Sequence, residues 1–102
     1  MGLQVVAKVS GTPPGTIRVH EVGGVRIALC NVNGRFYAID DVCTHDGGPL
    51  DQGELQDNFV ECPRHGAKFD VTTGRAVVLP AVRPVKTYRV EVDGDDVKVE
   101  VG

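Results

Sequence analysis

Two cysteine–histidine pairs hold most of the chemistry available to this chain: Cys43-Thr44-His45 and Cys62-Pro63-Arg64-His65, with 16 residues between His45 and Cys62. Thiolate and imidazole are soft or borderline ligands, so four of them gathered in so short a span point to metal. The third cysteine, Cys30, stands in the strand-like run VRIALCNV and reads as a small buried apolar residue. His20 is the one histidine left over; it alternates with Arg18 and reads as an exposed polar residue. An odd, small number of cysteines also argues against a disulfide framework.

The spacing bears on which metal. Two cysteines and two histidines can close a tetrahedral zinc site, and a zinc-stabilised interaction module is the alternative of a different class. Zinc sites, however, usually take both cysteines from one turn and both histidines from another. Here each loop brings one of each. A mixed pair on each of two loops suits a two-iron site in which one iron takes both thiolates and the other both imidazoles.

The chain resembles the Rieske family, whose signature is C-x-H followed at a similar interval by C-x2-H. The likeness extends through CTHDGGPL, CPRHGAKFDVTTG and PVKTYRVEV. It implies one 2Fe-2S cluster, with Cys43 and Cys62 on a buried inner iron and His45 and His65 on an outer iron nearer solvent. With neutral imidazoles the oxidised cluster carries no net charge, so it accepts an electron more readily than an all-thiolate one. That difference lifts the potential from about −400 mV to between about −150 and +300 mV.

Departures from the family's high-potential members place the chain within that range. Those members resemble CTHLGC and CPCHGSHY, whose extra cysteines bridge the two loops; Gly48 and Arg64 stand there instead. Their serine and tyrosine hydroxyls, which donate to cluster sulfurs, correspond to Ala67 and Phe69. Fewer donors to the reduced cluster mean a potential at the low end, near about −150 mV. Gly47, Gly48, Pro49, Gly66 and Pro80 are expected to let loop backbone approach and cover the cluster. Asp70 is read either as a strand-end residue or as one that fixes the second loop.

The elements that must position these loops read as all-β. Thr16–Val22, Val25–Val32 and Phe36–Asp40 form a meander punctuated by Gly23-Gly24 and Asn33-Gly34. Lys86–Val92 and Val97–Val101 alternate across the turn at Asp93–Asp96, with Tyr88, Val90, Val92, Val97, Val99 and Val101 facing one core. Between them, residues 41 to 80 are rich in glycine and proline, with short strand candidates at Phe59–Cys62, Ala67–Val71 and Arg75–Leu79 and little expected to be buried. Thr72-Thr73-Gly74 reads as a turn with glycine in the left-handed position, and Ser10–Gly15 as a connecting loop. No helix is expected. The expectation is a single domain over 1–102, an antiparallel sandwich or barrel base of the Rieske type with an inserted, loop-rich cluster-binding subdomain at about 41–80.

Composition is that of an ordinary globular chain, 41% hydrophobic and 25% charged. A net charge of −3 argues against a nucleic-acid partner, and no apolar run approaches the ~20 residues of a membrane span. With no leader-like segment in MGLQVVAKV, the expected location is the cytoplasm. Acidic residues Asp40, Asp41, Asp46, Asp51, Glu54, Asp57 and Glu61 fall between 40 and 62 with no lysine or arginine among them. They read as a solvated face or as a surface that steers a basic partner.

After the cluster takes two histidines, only His20 remains, too few for the mononuclear iron of an oxygenase, and no glycine-rich nucleotide fingerprint is present. The resemblance therefore implies an electron-transfer ferredoxin rather than an enzyme: a monomer docking transiently to a ferredoxin reductase and to a terminal oxygenase of an aromatic-ring dioxygenase system. A nitrite-reductase small subunit and an accessory ferredoxin of iron–sulfur assembly are the alternative settings.

Overall fold

The computed structural model describes residues 2–44, 47–63, 66–79 and 83–101. Its strands are β1 (Leu3–Lys8), β2 (Ile17–Val22), β3 (Val25–Val32), β4 (Arg35–Asp40), β5 (Glu54–Gln56), β6 (Phe59–Glu61), β7 (Lys68–Asp70), β8 (Ala76–Val78), β9 (Thr87–Asp93) and β10 (Asp96–Glu100). Single 3₁₀ turns at Val9–Gly11 and Leu50–Gln52 are the helical elements among the described residues. None is long and apolar enough to cross a membrane.

Two antiparallel sheets result. The larger runs β1-β10-β9-β4-β3-β2, with its end strands β1 and β2 drawn towards each other so that it curls into a nearly closed barrel. The smaller runs β5-β6-β7-β8. The meander hairpins are set by their turns: Val22 pairs with Val25 across Gly23 (φ 56°) and Gly24 (φ 81°), and Val32 with Arg35 across Asn33 (φ 52°) and Gly34 (φ 93°). Positive φ at both central residues matches the twist of the flanking strands.

Strand β3 is the spine because both of its faces are covered. Ile27 and Leu29 point into the barrel core with Val22, Phe36, Ala38, Val97, Val99 and Val101. Ala28 and Cys30 point the other way, into a second core shared with Ile39, Leu50, Val60, Phe69, Val71 and Val85. Thus a strand that reads as a nearly continuous apolar run is buried on two sides.

That second core corrects the expectation that residues 41 to 80 bury little. Leu50, Val60 and Phe69 are fully enclosed and Val71 nearly so. Each large side chain of this kind contributes about 1.5–3 kcal/mol on burial. The signal is faint in sequence because β5 to β7 have three residues each, too few to show a period, and because the covering surface comes from the back of β3 and β4. Strand β1 was also not expected; it is ordered by pairing with β10. Val92, expected to face the core, is half exposed because it lies beside the turn that ends the β9–β10 hairpin.

Candidate metal centre

Cys43 follows β4 and Cys62 follows β6, and each opens a loop with the same hydrogen-bond pattern. In the first, the Cys43 N–H donates to Gly48 O at 2.7 Å and the Gly47 N–H donates to Cys43 O at 2.7 Å. In the second, the Cys62 N–H donates to Ala67 O at 2.7 Å and the Gly66 N–H to Cys62 O at 3.1 Å. The glycine four positions after each cysteine turns the chain with φ 77° (Gly47) or 76° (Gly66), a region that costs other residues energy. The loops are therefore the same size, although the first pair is C-x-H and the second C-x2-H. Unequal spacing shifts the histidine by one position within matched frames.

Both cysteines are buried in the second core, against Leu50, Val60 and Phe69. His45 and His65, with Asp46 and Arg64, lie outside the described residues, as does Pro80. Two soft donors brought into one apolar compartment by matched loops suit a cluster bound on its cysteine side away from water, so the donor set fits the group that the family likeness implies. Cys30 shares the compartment but behaves differently. Burial, with the Asp41 charge adding to it, pushes its thiol up to about 12, so it stays protonated and apolar.

A third segment is fastened to the first of these loops and to the turn between β7 and β8. Thr44 Oγ1 donates to Arg83 O at 2.7 Å, and the Val85 N–H donates to Gly74 O at 2.7 Å. Gly74 has φ 82°, as the turn at Thr72–Gly74 requires. Phe69 and Ala67 are fully buried where the hydroxyl donors of high-potential relatives are expected, and neither has a hydroxyl to give. Gly48 is buried in the first loop, at the position where a bridging cysteine would stand.

Asp70 fixes the end of the second loop's strand. Its Oδ1 accepts from the Thr72 N–H at 2.9 Å and from Thr72 Oγ1 at 2.6 Å. Burial acts to raise the carboxyl pKa, but the hydrogen bonds from Thr72 and Asn58 outweigh it and hold it below the ordinary 3.8. A depressed folded-state value contributes stability that is present above the unfolded value and lost as the pH falls through the folded one. Asp70→Ala is expected to cost about 2 kcal/mol in urea unfolding at pH 7. The cost should shrink as the pH drops below 3.8; an unchanged cost would mean that the ionised carboxylate contributes nothing.

The acidic stretch is less uniform than its sequence. Asp41 is buried, Asp51 is mostly so, and Asp40 accepts a hydrogen bond from the Tyr88 hydroxyl. Glu54, Asp57 and Glu61 remain exposed, with Glu54 directly opposite Glu61 across β5–β6. His20 is half-buried rather than exposed: its Nε2 is shut off from water with no hydrogen-bond partner among the described residues. Burial, then the nearby Arg18 charge, lowers its pKa. Sequence reasoning also passed over Gly53, whose Cα faces the backbone of β6 so closely that a Cβ there would lie 1.9 Å from Glu61 O. No periodicity marks such a residue; a lone glycine between polar neighbours was its only trace.

The family model that matches, the Rieske [2Fe-2S] domain, covers residues 2–89. The ferredoxin component of biphenyl 2,3-dioxygenase from Rhodococcus jostii (strain RHA1) is 42% identical over 101 residues, which is 99% of this chain and 94% of that protein. The ferredoxin of carbazole 1,9a-dioxygenase from Nocardioides aromaticivorans IC177 superposes with a TM-score of 0.93 at 34% identity, covering 97% of each chain. A chain from the complex of reduced oxygenase and oxidised ferredoxin in carbazole 1,9a-dioxygenase superposes with a TM-score of 0.89 at 38% identity, covering 95% of this chain and 91% of that one.

Proposed function

The chain belongs to the Rieske [2Fe-2S] domain family, and from that premise we propose that it carries one electron at a time from a ferredoxin reductase to the terminal oxygenase of a ring-hydroxylating dioxygenase system. The observation that carries this reading is the pair of matched loops, each delivering a buried cysteine to one apolar compartment. Relatives named as dioxygenase ferredoxin components, aligned over almost the full length of both chains, support the partner class.

Cys43 and Cys62 would hold one iron and His45 and His65 the other, with residues 1–102 forming one such domain and about 41–80 its cluster-binding part. A 2Fe-2S cluster supplies a one-electron couple when bound. The chain supplies the setting. Leu50, Val60 and Phe69 exclude water from the cysteine side, and the hydrogen-bonded loops limit how far the ligand backbone can move when charge changes. Rigid ligation keeps reorganisation small, and burial on one side confines exchange with partners to the other. Buried thiols in a chain of this composition accord with the reducing cytoplasm.

The purified protein should be red-brown and, once reduced, give a rhombic paramagnetic signal. It should also restore turnover when added to a dioxygenase reductase and oxygenase lacking their own ferredoxin. A colourless protein with stoichiometric zinc would reject the cluster, and a red protein inert in that reconstitution would reject the partners. The potential should lie at the low end of the family range, and Ala67→Ser and Phe69→Tyr should each raise it in protein-film voltammetry. A wild-type value above about +100 mV would overturn the argument from missing hydroxyls.

A further inference from the structure

The two cysteine loops differ in how their ends are held. The second, residues 62–67, joins neighbouring strands of one sheet, so the Glu61–Lys68 pair of the β6–β7 ladder closes it. The first, residues 43–48, leaves β4 in the larger sheet and leads to β5 in the smaller one, so its ends belong to different sheets. Outside the Cys43 N–H to Gly48 O bond within the loop, its flanks at residues 41 and 51 are held by side chains rather than by a ladder.

Asp41, just before that loop, and Asp51, just after it, converge on Arg26 of β3. The Asp41 side chain is wholly buried. Its Oδ2 accepts from Arg26 Nη2 at 3.0 Å, and its Oδ1 accepts from the Asp51 N–H at 2.7 Å. The Asp41 N–H in turn donates to Arg26 O at 3.1 Å. Asp51 Oδ1 lies 4.0 Å from the same Arg26 nitrogen. One carboxylate thus ties the start of the loop to its end, and one guanidinium ties that carboxylate to the larger sheet.

We propose that Arg26 is a positioning residue for the first cysteine loop, acting through the buried Asp41 carboxylate to hold residues 41 and 51 together. A buried carboxylate that loses the guanidinium paired with it must draw in water or leave its site. Either movement releases the Asp51 N–H and lets the loop widen around Cys43. The other loop, closed by its own ladder, is insulated from the change. Arg26 is 58% exposed, so its head can be replaced without creating a cavity in either core. The consequence for the cluster rests on the reading of Cys43 and His45 as ligands; the clamp itself does not.

The test uses the holoprotein with Arg26→Gln, Asp41→Asn and the double variant. Arg26→Gln should speed the bleaching of visible absorption by an iron chelator about tenfold, and speed exchange of the Asp51 amide by about the same factor, while amides of the β9–β10 ladder stay as in wild type. It should also shift the principal values of the paramagnetic signal. Arg26→Lys should recover most of the lost protection. In the Asp41→Asn background, Arg26→Gln should add less than about twofold, because its route is gone. Wild-type bleaching and Asp51 exchange in Arg26→Gln, or an effect undiminished by Asp41→Asn, would overturn the proposal. If the wild-type protein proves colourless, the cluster reading fails, and Asp51 exchange in Arg26→Gln alone decides the clamp.

Discussion

Cys62→Ala and His65→Ala should each give protein without the visible absorption and the rhombic signal of the reduced wild type, and Cys43→Ala and His45→Ala should do the same. A four-ligand site that loses one donor leaves an iron with an open position, which water or chelator then attacks. For the cysteines there is a second loss. They stand in the core against Leu50, Val60 and Phe69, so an empty site leaves that core without its filling and residues 41 to 80 should loosen. Proteolysis and amide exchange would show this as protection lost from β5 to β8 and kept in the larger sheet. Cys30→Ser and His20→Ala are the matched controls. Cys30 is equally buried and His20 is a half-buried histidine, yet neither belongs to the two loops, so both variants should keep the spectrum. Bleaching by either control, with colour retained in a loop variant, would mean that the ligands are misassigned.

Gly53→Ala should be among the most damaging substitutions outside the ligands. Its backbone, with φ −84° and ψ −179°, is open to any residue, so conformation is no obstacle. Space is the obstacle. An added Cβ would stand 1.9 Å from Glu61 O, 3.0 Å from Glu61 C and 3.2 Å from Leu50 O, all backbone atoms that cannot swing aside. The chain must separate from β6, at the residue that leads directly into Cys62. A loss of about 3 kcal/mol is expected, which lowers the melting temperature by roughly 15 °C for a domain of this size. Faster loss of the cluster should accompany it. Gly11→Ala provides the comparison, since nothing lies within 4 Å of a Cβ there; its melting temperature should stay within a degree or two of wild type by the usual surface range. Equal behaviour of the two variants in calorimetry would show that the loop after Leu50 yields easily and that the close approach has no energetic weight.

What the sequence determined by itself was the chemistry and the outline. Cys43, His45, Cys62 and His65 stand out as the proposed ligands because ligand chemistry tolerates few residue types, and their spacing is readable without any tertiary context. The meander and the final hairpin are legible because β2 to β4 are long enough to show β-branched and aromatic residues in partial alternation, because β9 and β10 alternate throughout, and because Gly23-Gly24 and Asn33-Gly34 suit a left-handed backbone. The absence of hydroxyls at Ala67 and Phe69 is likewise a fact about side chains, readable at once.

Only the tertiary structure decided what holds the loops in place. Leu55, Val60 and Phe69 are the buried middle residues of three-residue strands, and they make a core only because the outer face of β3 and β4 is laid against them. Asp41 looked like one of seven surface acids; its burial follows from Arg26, 15 residues earlier in sequence and adjacent through the sheet. Equal loop size hidden behind unequal C-x-H and C-x2-H spacing is a property of the backbone hydrogen bonds to Gly48 and Ala67, which no residue type announces. Residue types able to bind a metal are local chemistry and are written in the chain; the placement of Cys43 and Cys62 depends on contacts between distant segments, which arise only when the two sheets pack.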